Sequence, residues 1–535
     1  MSHPIFNWKK CKRCKRWFDI GTNFDLCPSC RKLNKKEESL SLLTDELEKF
    51  IKGTHPLFSR DSLKLNEGQI RRLAHLLIEF AEDLYLDVGI WKSYENHNIN
   101  IFGTPLPCTL ENGEQISEDD PLNEYRIQHF LWNIYGMLEP NLTFSPRHRD
   151  LHYLTEEISD FLNNKKSYFP KRSSIKNFLK QPEDDAYDIK RKLVWLGTKS
   201  YLFRENFQYY LKKENLKEEI PTMDDFIVQV ATLWSGLGAI DILVDLLNVP
   251  QTRKKDIKSW KERHLAFYLV KTVQRKKLIV TNIITDETYH IISSTSNPPF
   301  NEGEVIFGST IKYGDKWYWS GNQKTFKDLS ESQIQEIRED FIKNTPKVVY
   351  RYDKHLLETA RNKLEEMYNE FVAHWGDDMV EFPDGLSYLA YLQGKERKKY
   401  EELSPEELEE MKNKHNLKDK SPNFNIPDEV VNCENGIMVF FNQVEGQELL
   451  IDFDNFKKAL EKQGQNLTDE DIDYMHALIE DNSLSPSFVR KIMAKYGTRS
   501  VMKAYHVDTE ECLDFLLRKY KGAFYQKRYP SLTVQ

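Results

Sequence analysis

No run of eighteen apolar residues occurs in the 535-residue chain, and its polar, basic start leads into no apolar h-region. Neither a membrane span nor a signal peptide is expected, and a cytoplasmic protein is. Cysteine is scarce. Of seven, four form one N-terminal pattern, while Cys108, Cys433 and Cys512 are scattered without disulfide-like spacing, which agrees with a reducing compartment. The usual enzyme signatures are also missing. There is no phosphate-loop lysine pattern and no Gly-x-Ser-x-Gly elbow, and Gly236-Leu237-Gly238 lacks the third glycine and the preceding strand of a dinucleotide fold.

Net positive charge is confined to the first residues. Residues 1–36 hold ten Lys or Arg against Asp19 and Asp25, which leaves about −16 on the rest of a chain whose formal total is −8. A contact with an anionic partner through the head alone is conceivable, and a basic groove across the whole protein is not suggested.

The chain has the material for real cores. Hydrophobic residues make up 39%, aromatic residues 12% and charged residues 30%, and the length suits three or four folded units plus a small metal module. Leu40–Ile51 is an amphipathic helix by its spacing. Ile70, Leu73, Leu77, Phe80 and Leu84 form one helical stripe, and Ile127, Phe130, Leu131, Ile134 and Leu138 form a second. Helices are expected over Leu151–Leu162, Lys190–Tyr210 and Met223–Leu247, the last interrupted by Gly236 and Gly238 and stopped before Pro250.

The period changes near residue 265. Ala266–Val273, Leu278–Ile284, Thr288–Ser293, Gly303–Tyr313 and Trp317–Ser320 read as five short strands, which predicts a small barrel or strongly curved sheet. Helix returns at Leu329, where Ser330 and Gln333 can make a capping box, and Ser404-Pro405-Glu406-Glu407 is a second such box. Lys395–Lys420 reads as a solvated helix and linker. A strand at Gly436–Phe441 precedes helices near 453–463, 468–480, 486–496 and 508–519.

Cys11-x2-Cys14-x12-Cys27-x2-Cys30 presents two knuckles of two thiolates each, separated by enough chain for a hairpin. That spacing points to structural Zn2+ held by Cys11, Cys14, Cys27 and Cys30, with iron in the same cage as the alternative and no open position for substrate. Lys10, Lys12, Arg13, Lys15, Arg16 and Trp17 surround the knuckles. Cations interleaved with aromatics suit phosphate contact and base stacking, although so small a module also needs its aromatics for its own core.

The remaining clusters have plainer explanations. His148 and His152 share a helical face near Asp150, Glu156 and Glu157, but the glutamate of a zinc-protease motif is absent, and they are expected to cap and pack a helix start. His148-Arg149-Asp150 has no kinase companions. Asp286 and Glu304 are spaced like the carboxylates of a restriction-type nuclease, yet Ile306 stands where the Glu-x-Lys motif requires its lysine. Trp317 and Trp319, on one strand face, are expected to fill a barrel core. His374, Asp377, Asp378, Glu381 and Asp384 could hold a hard cation, but Pro383-Asp384-Gly385 is a turn and a solvated loop is favoured.

Three stretches carry a resemblance: Phe144-Ser145-Pro146-Arg147-His148-Arg149-Asp150-Leu151, the run from Lys190 to Arg204, and Arg518-Lys519-Tyr520-Lys521-Gly522. They resemble an uncharacterised bacterial family known only as a domain of unknown function. The resemblance implies an origin and no activity.

These signals define a mainly α multidomain (α+β) chain with an N-terminal four-cysteine zinc ribbon or knuckle and a small β-barrel-like insertion. The expected segments are a zinc ribbon 1–34, a helical domain 35–261, a small β domain 262–325, a helical segment with charged linker 326–425 and a mostly helical C-terminal domain 426–535. The expected function is non-enzymatic binding, with the zinc head contacting nucleic acid or a protein partner. The rivals are a metal-dependent nuclease or hydrolase assembled from His148, His152 and the acids near Asp377, and a subunit of a defence or regulatory assembly.

Overall fold

The computed structural model describes residues 8–10, 17–19, 38–54, 65–108, 120–138, 144–182, 185–232, 234–404, 406, 426–507 and 512–533. It is mainly helical with two larger groups of strands, an α+β protein, and no helix among the described residues is long and apolar enough to cross a membrane. Two compact units form: residues 1–357 with 506–526 and 533–535, and residues 358–505 with 527–532.

In the first unit β1 (Trp8–Lys10) pairs antiparallel with β2 (Trp17–Asp19). The helical part follows as α1 (Glu38–Thr54), α2 (Glu67–Leu86), α3 (Ile90–Phe102), α4 (Glu124–Leu138), α5 (Arg149–Asn164), α6 (Ser174–Leu179), α7 (Ala186–Lys199), α8 (Arg204–Lys213), α9 (Ile220–Gln229), α10 (Ala239–Leu246) and α11 (Gln251–Ser259). The expected stripes are the core. Ile70, Leu73, Leu77 and Phe80 of α2 are buried, as are all five stripe residues of α4, and Phe80 stacks on Phe130 with centroids 4.4 Å apart. Burying each such side chain contributes roughly 1.5–3 kcal/mol. Asn66 starts α2 with a capping box, its Oδ1 accepting from Gln69 N at 3.0 Å while Gln69 Oε1 accepts from Asn66 N at 2.7 Å.

Two expected helices are each broken in two. Lys190–Tyr210 divides at Ser200, whose backbone is extended and whose hydroxyl donates to Leu196 O at 2.5 Å; Tyr201, Leu202 and Phe203 then turn inward and are buried. Apolar periodicity cannot see this, because the three turn residues are as apolar as a helix face. Met223–Leu247 divides between Gln229 and Ala239, where Gly236 takes a left-handed conformation and Gly238 N donates to Asp241 Oδ2 at 2.8 Å to start α10. Helix α3 was not foreseen, its sequence holding three Asn in thirteen residues.

Five strands form a closed barrel: β3 (His264–Gln274), β4 (Lys277–Asn282), β5 (Thr288–Ile292), β6 (Val305–Tyr313) and β7 (Lys316–Phe326), in the order β3-β4-β5-β7-β6. Every pairing is antiparallel except β5 with β7. Trp319 is buried in the barrel core and Trp317 is packed against it, as their shared strand face predicts. Helix α12 (Glu331–Asn344) begins with the expected capping box, Gln333 N donating to Ser330 Oγ at 3.3 Å and Ser330 N to Gln333 Oε1 at 2.9 Å, and α13 (Pro346–Val349) follows.

The second unit draws on both sides of the charged stretch 395–420. It contains α14 (Lys354–Trp375) from Glu358 onward, β8 (Met379–Phe382), α15 (Gly385–Glu402), α16 (Asp428–Val431), β9 (Ile437–Asn442), β10 (Gly446–Ile451), α17 (Phe453–Glu461), α18 (Asp469–Glu480), α19 (Pro486–Tyr496) and α20 (Arg499–Ala504). The sheet order is β10-β9-β8. Strand β9 is buried along its whole length because helices cover both of its faces: Phe441 meets Phe371 of α14 at 5.5 Å between centroids, and Phe440 stacks on Phe488 of α19 at 5.2 Å. Pro405 and Glu407 of the second expected capping box lie outside the described residues.

One cysteine expectation is corrected. Cys108 and Cys512, the first residue of α21 (Cys512–Tyr520), are joined in a disulfide with Cα atoms 5.8 Å apart, across 404 residues of sequence. Spacing along the chain is no guide to a pair that tertiary packing brings together. Cys433 is free and buried.

Candidate functional site

Cys11, Cys14, Cys27 and Cys30, with Lys12, Arg13, Lys15 and Arg16, lie outside the described residues. The backbone on either side of the first cysteine pair is described. Lys10 ends β1 opposite Trp17, which opens β2, so the strand pair brackets residues 11–16. Among the described residues, no group of three or more His, Cys, Asp and Glu is placed to hold a metal.

The other sequence candidates are engaged one by one. His148 is the N-cap of α5, its Nδ1 accepting from Asp150 N at 3.2 Å; His152 is exposed and faces Glu156 at 3.3 Å, so it caps nothing and packs little. Asp377 and Asp378 both pair with Lys491, Glu381 pairs with Lys457 at 3.0 Å, and Asp384 caps α15 by accepting from Ser387 N at 2.7 Å. His374 packs its ring against Trp375 and Tyr391. Glu304 braces its own turn by accepting from Asn301, whose side-chain and backbone donors hold the Glu304 carboxyl below its ordinary range. His148 and His152 belong to the first unit and the acids near Asp377 to the second, and within the second unit each of these acids is engaged by a lysine or a backbone N–H.

What the sequence did not disclose is a buried polar cluster in the first unit. Tyr94 and Asn98 enter it from α3, His129 and Asn133 from α4, and Trp234 and Ser235 from the loop between α9 and α10; all six are buried. Tyr94 OH lies 3.2 Å from His129 Nε2. Burial pushes the Tyr94 hydroxyl up to about 12, with Ser235 and Asn98 beside it pulling the other way. Burial, then the charge of Lys519, pushes the His129 imidazole down to about 3, so it is neutral at physiological pH. Asn98 Oδ1, His129 Nδ1, Asn133 Oδ1, Trp234 Nε1 and Ser235 Oγ make no hydrogen bond. Buried polar atoms without a protein partner are exceptions in folded proteins, and their number here marks the cluster as unusual for a core.

A backbone contact lies beside the cluster. Ser235 and Gly236 both adopt left-handed conformations, with φ of 56° and 74°. A Cβ on Gly236 would stand 2.9 Å from Gly522 Cα, so the two chains touch where no side chain fits. Helix α21 delivers Phe515, stacked on Trp132 at 5.0 Å, and Lys519, whose ammonium lies over the Trp132 ring at 5.4 Å. The glycine pair of the sequence and the motif ending at Gly522 thus meet in space.

A second buried network joins the helices to the barrel. Asp224 of α9 accepts from Lys190 of α7, from Arg263, and from Ser320 Oγ of β7 at 2.9 Å; Arg263 also reaches Asp225, and Lys190 Nζ lies 3.2 Å from Ser320 Oγ. Burial acts to raise the Asp224 carboxyl, but the adjacent Lys190 and Arg263 cations outweigh it and hold the group below its usual range.

The described chain is thus an α+β protein whose helical body carries two buried polar networks and a five-stranded barrel. Residues 61–243 match the family model described as Protein of unknown function (DUF3843), to which no activity is attached. The resemblance carried by residues 144–151 and 190–204 is borne out. The matched span includes Tyr94, His129, Ser235, Lys190 and Asp224 and ends before the barrel. No curated protein and no solved structure matches the chain.

Proposed function

We propose that the protein is a zinc-headed, non-enzymatic binding protein. Cys11, Cys14, Cys27 and Cys30 hold one structural Zn2+, and Lys10, Lys12, Arg13, Lys15, Arg16 and Trp17 contact nucleic acid or an acidic face of a protein partner. The observation that supports this most directly is the register of β1 and β2. Lys10 pairs opposite Trp17, so the two strands flank the stretch of sequence that contains Cys11 and Cys14, and a zinc ribbon draws two of its four thiolates from such a stretch. Bound zinc would supply folding free energy to a head too small for a core of its own. The two remaining thiolates come from the Cys27-Pro28-Ser29-Cys30 knuckle.

Elemental analysis of the purified chain tests the metal, with one zinc per chain expected and loss of that zinc in a Cys27→Ser, Cys30→Ser double variant. Reversing Lys12, Arg13, Lys15 and Arg16 to Glu tests the contact, since a partner held by the head is lost and its salt dependence with it. A chain that carries no zinc contradicts the proposal.

A further inference from the structure

The barrel closes in the order β3-β4-β5-β7-β6, with β6 back on β3 and β5/β7 as its parallel pair. Counted from one to five along the chain, this is 1-2-3-5-4, the strand order of five-stranded Greek-key barrels whose second and third strands face oligonucleotides or oligosaccharides. Topology alone assigns no ligand, so the surface has to carry the case.

The barrel's faces are unequal. Helix α12 covers β3 and β6, Phe341 meeting Phe267 at 5.4 Å and Phe307 at 6.1 Å between centroids. Helices α9 and α11 lie against β7 and β6, where Trp260 Nε1 donates to Lys312 O at 2.7 Å. The outward positions of β4 and β5 are open by comparison: Ile279 and Thr281 are half-buried, and Thr288 and His290 are exposed. Two adjacent strands make a face about 10 Å wide, which suits one nucleic-acid strand better than the two backbones of a duplex.

At one end of that face the β3–β4 turn gathers cations. Lys271, Arg275 and Lys276 are exposed and Lys277 is half-buried. Lys276 takes the left-handed conformation, φ 58°, that lets Gln274 pair with Lys277. Among the described residues none of these four joins an ion pair; the nearby acid is Glu302, which accepts from Val273 N at 3.3 Å. On a body that carries about −16, a free cluster of positive charge beside an open sheet face is complementary to a polyanion.

We propose that single-stranded nucleic acid lies across the outer face of β4 and β5, its phosphates on Lys271, Arg275, Lys276 and Lys277 and its bases against Ile279, Thr281 and His290. The interaction needs no contribution from the zinc head, so it goes beyond the function proposed above.

Fluorescence anisotropy of the full chain with labelled oligo-dT and oligo-rU of about 20 nucleotides, between roughly 50 and 200 mM salt, tests it. Single strands are expected to bind. The variant Lys271→Glu, Arg275→Glu, Lys276→Glu is expected to bind at least about tenfold more weakly and to flatten the salt slope by about 2, since each lost phosphate contact on a single strand removes about 0.7. These residues are exposed, and an unchanged circular dichroism spectrum establishes that the variant is folded. The same triple reversal at Lys171, Arg172 and Lys180, an exposed basic stretch elsewhere in the first unit, is expected to leave binding unchanged; an equal loss there would reduce the effect to non-specific charge and overturn the proposal. Cross-links from thiouridine-containing RNA are expected within residues 271–292, and cross-links confined to other segments would overturn it. Binding lost only when Lys12, Arg13, Lys15 and Arg16 are reversed would refute the barrel surface while leaving the head's role standing. Binding lost only in the barrel variant would do the opposite.

Discussion

Lys190 and Asp224 form an ion pair in which each side chain is only 4% exposed, and Arg263 and Ser320 complete the carboxylate's contacts. The pair links α7 and α9 to the barrel strand β7 with charge where most of the unit uses apolar packing. Its worth lies in its completeness, because a buried ion with every partner present costs little and one left alone costs a great deal.

Asp224→Ala should therefore destabilise the first unit by about 3–5 kcal/mol, since Lys190 and Arg263 would be left without their shared carboxylate. Replacing Lys190 by Met together with Asp224 by Leu should cost less than Asp224→Ala alone. Urea unfolding followed by tryptophan fluorescence checks the order of the two variants, and the reverse order would show that the pair is stabilising in its own right.

His129 gives the unit a pH dependence whose sign is determined by burial. Its folded pKa is near 3 against 6.5 for an ordinary histidine, so between those values the unfolded chain takes up a proton that the folded chain refuses. Stability is fully present above pH 6.5 and should fall as the pH drops, by about 1.4 kcal/mol per pH unit from this group. His129→Gln should flatten the curve of urea midpoint against pH over that window, and parallel curves for the two proteins would count against a neutral buried imidazole.

The Cys108–Cys512 bond should stabilise the first unit by about 2–4 kcal/mol, because it closes a long loop in the unfolded chain. Reductant should lower the melting temperature of the wild-type chain and leave that of a Cys108→Ser, Cys512→Ser variant unmoved. Thiol counting under denaturing conditions, with and without reductant, reads the same bond directly.

Gly522→Ala should loosen the C-terminal segment more than a typical surface change, as its Cβ would fall 2.6 Å from Gly236 Cα. Backbone cannot swing aside as a side-chain tip can, so the segment carrying Phe515 and Lys519 must shift. Faster proteolysis within residues 512–526 is the expected result, with the second unit's fragments unchanged.

Much of the fold was legible without coordinates, and for one physical reason. The stripes of α2 and α4, the capping box of Ser330 and Gln333, the alternation of the barrel strands and the helices of the second unit all arise from residues a few positions apart, whose spacing decides which face is apolar and which backbone groups are capped. The same locality explains the failures: the turn at Ser200–Phe203 is as apolar as the helices it separates, and β8 and β10 are short strands recognisable only once β9 lies between them.

The sequence by itself determined the periodic elements, the acidic body and the four-cysteine pattern of the head. The tertiary structure alone decided that Lys190 would find Asp224, that Gly236 would touch Gly522, that Cys108 would reach Cys512 and that Tyr94, His129 and Ser235 would share one buried cluster. Those relationships join residues far apart in the chain, and only the packing of whole helices and strands, each placed by where its apolar face can be buried, brings such residues within bonding distance.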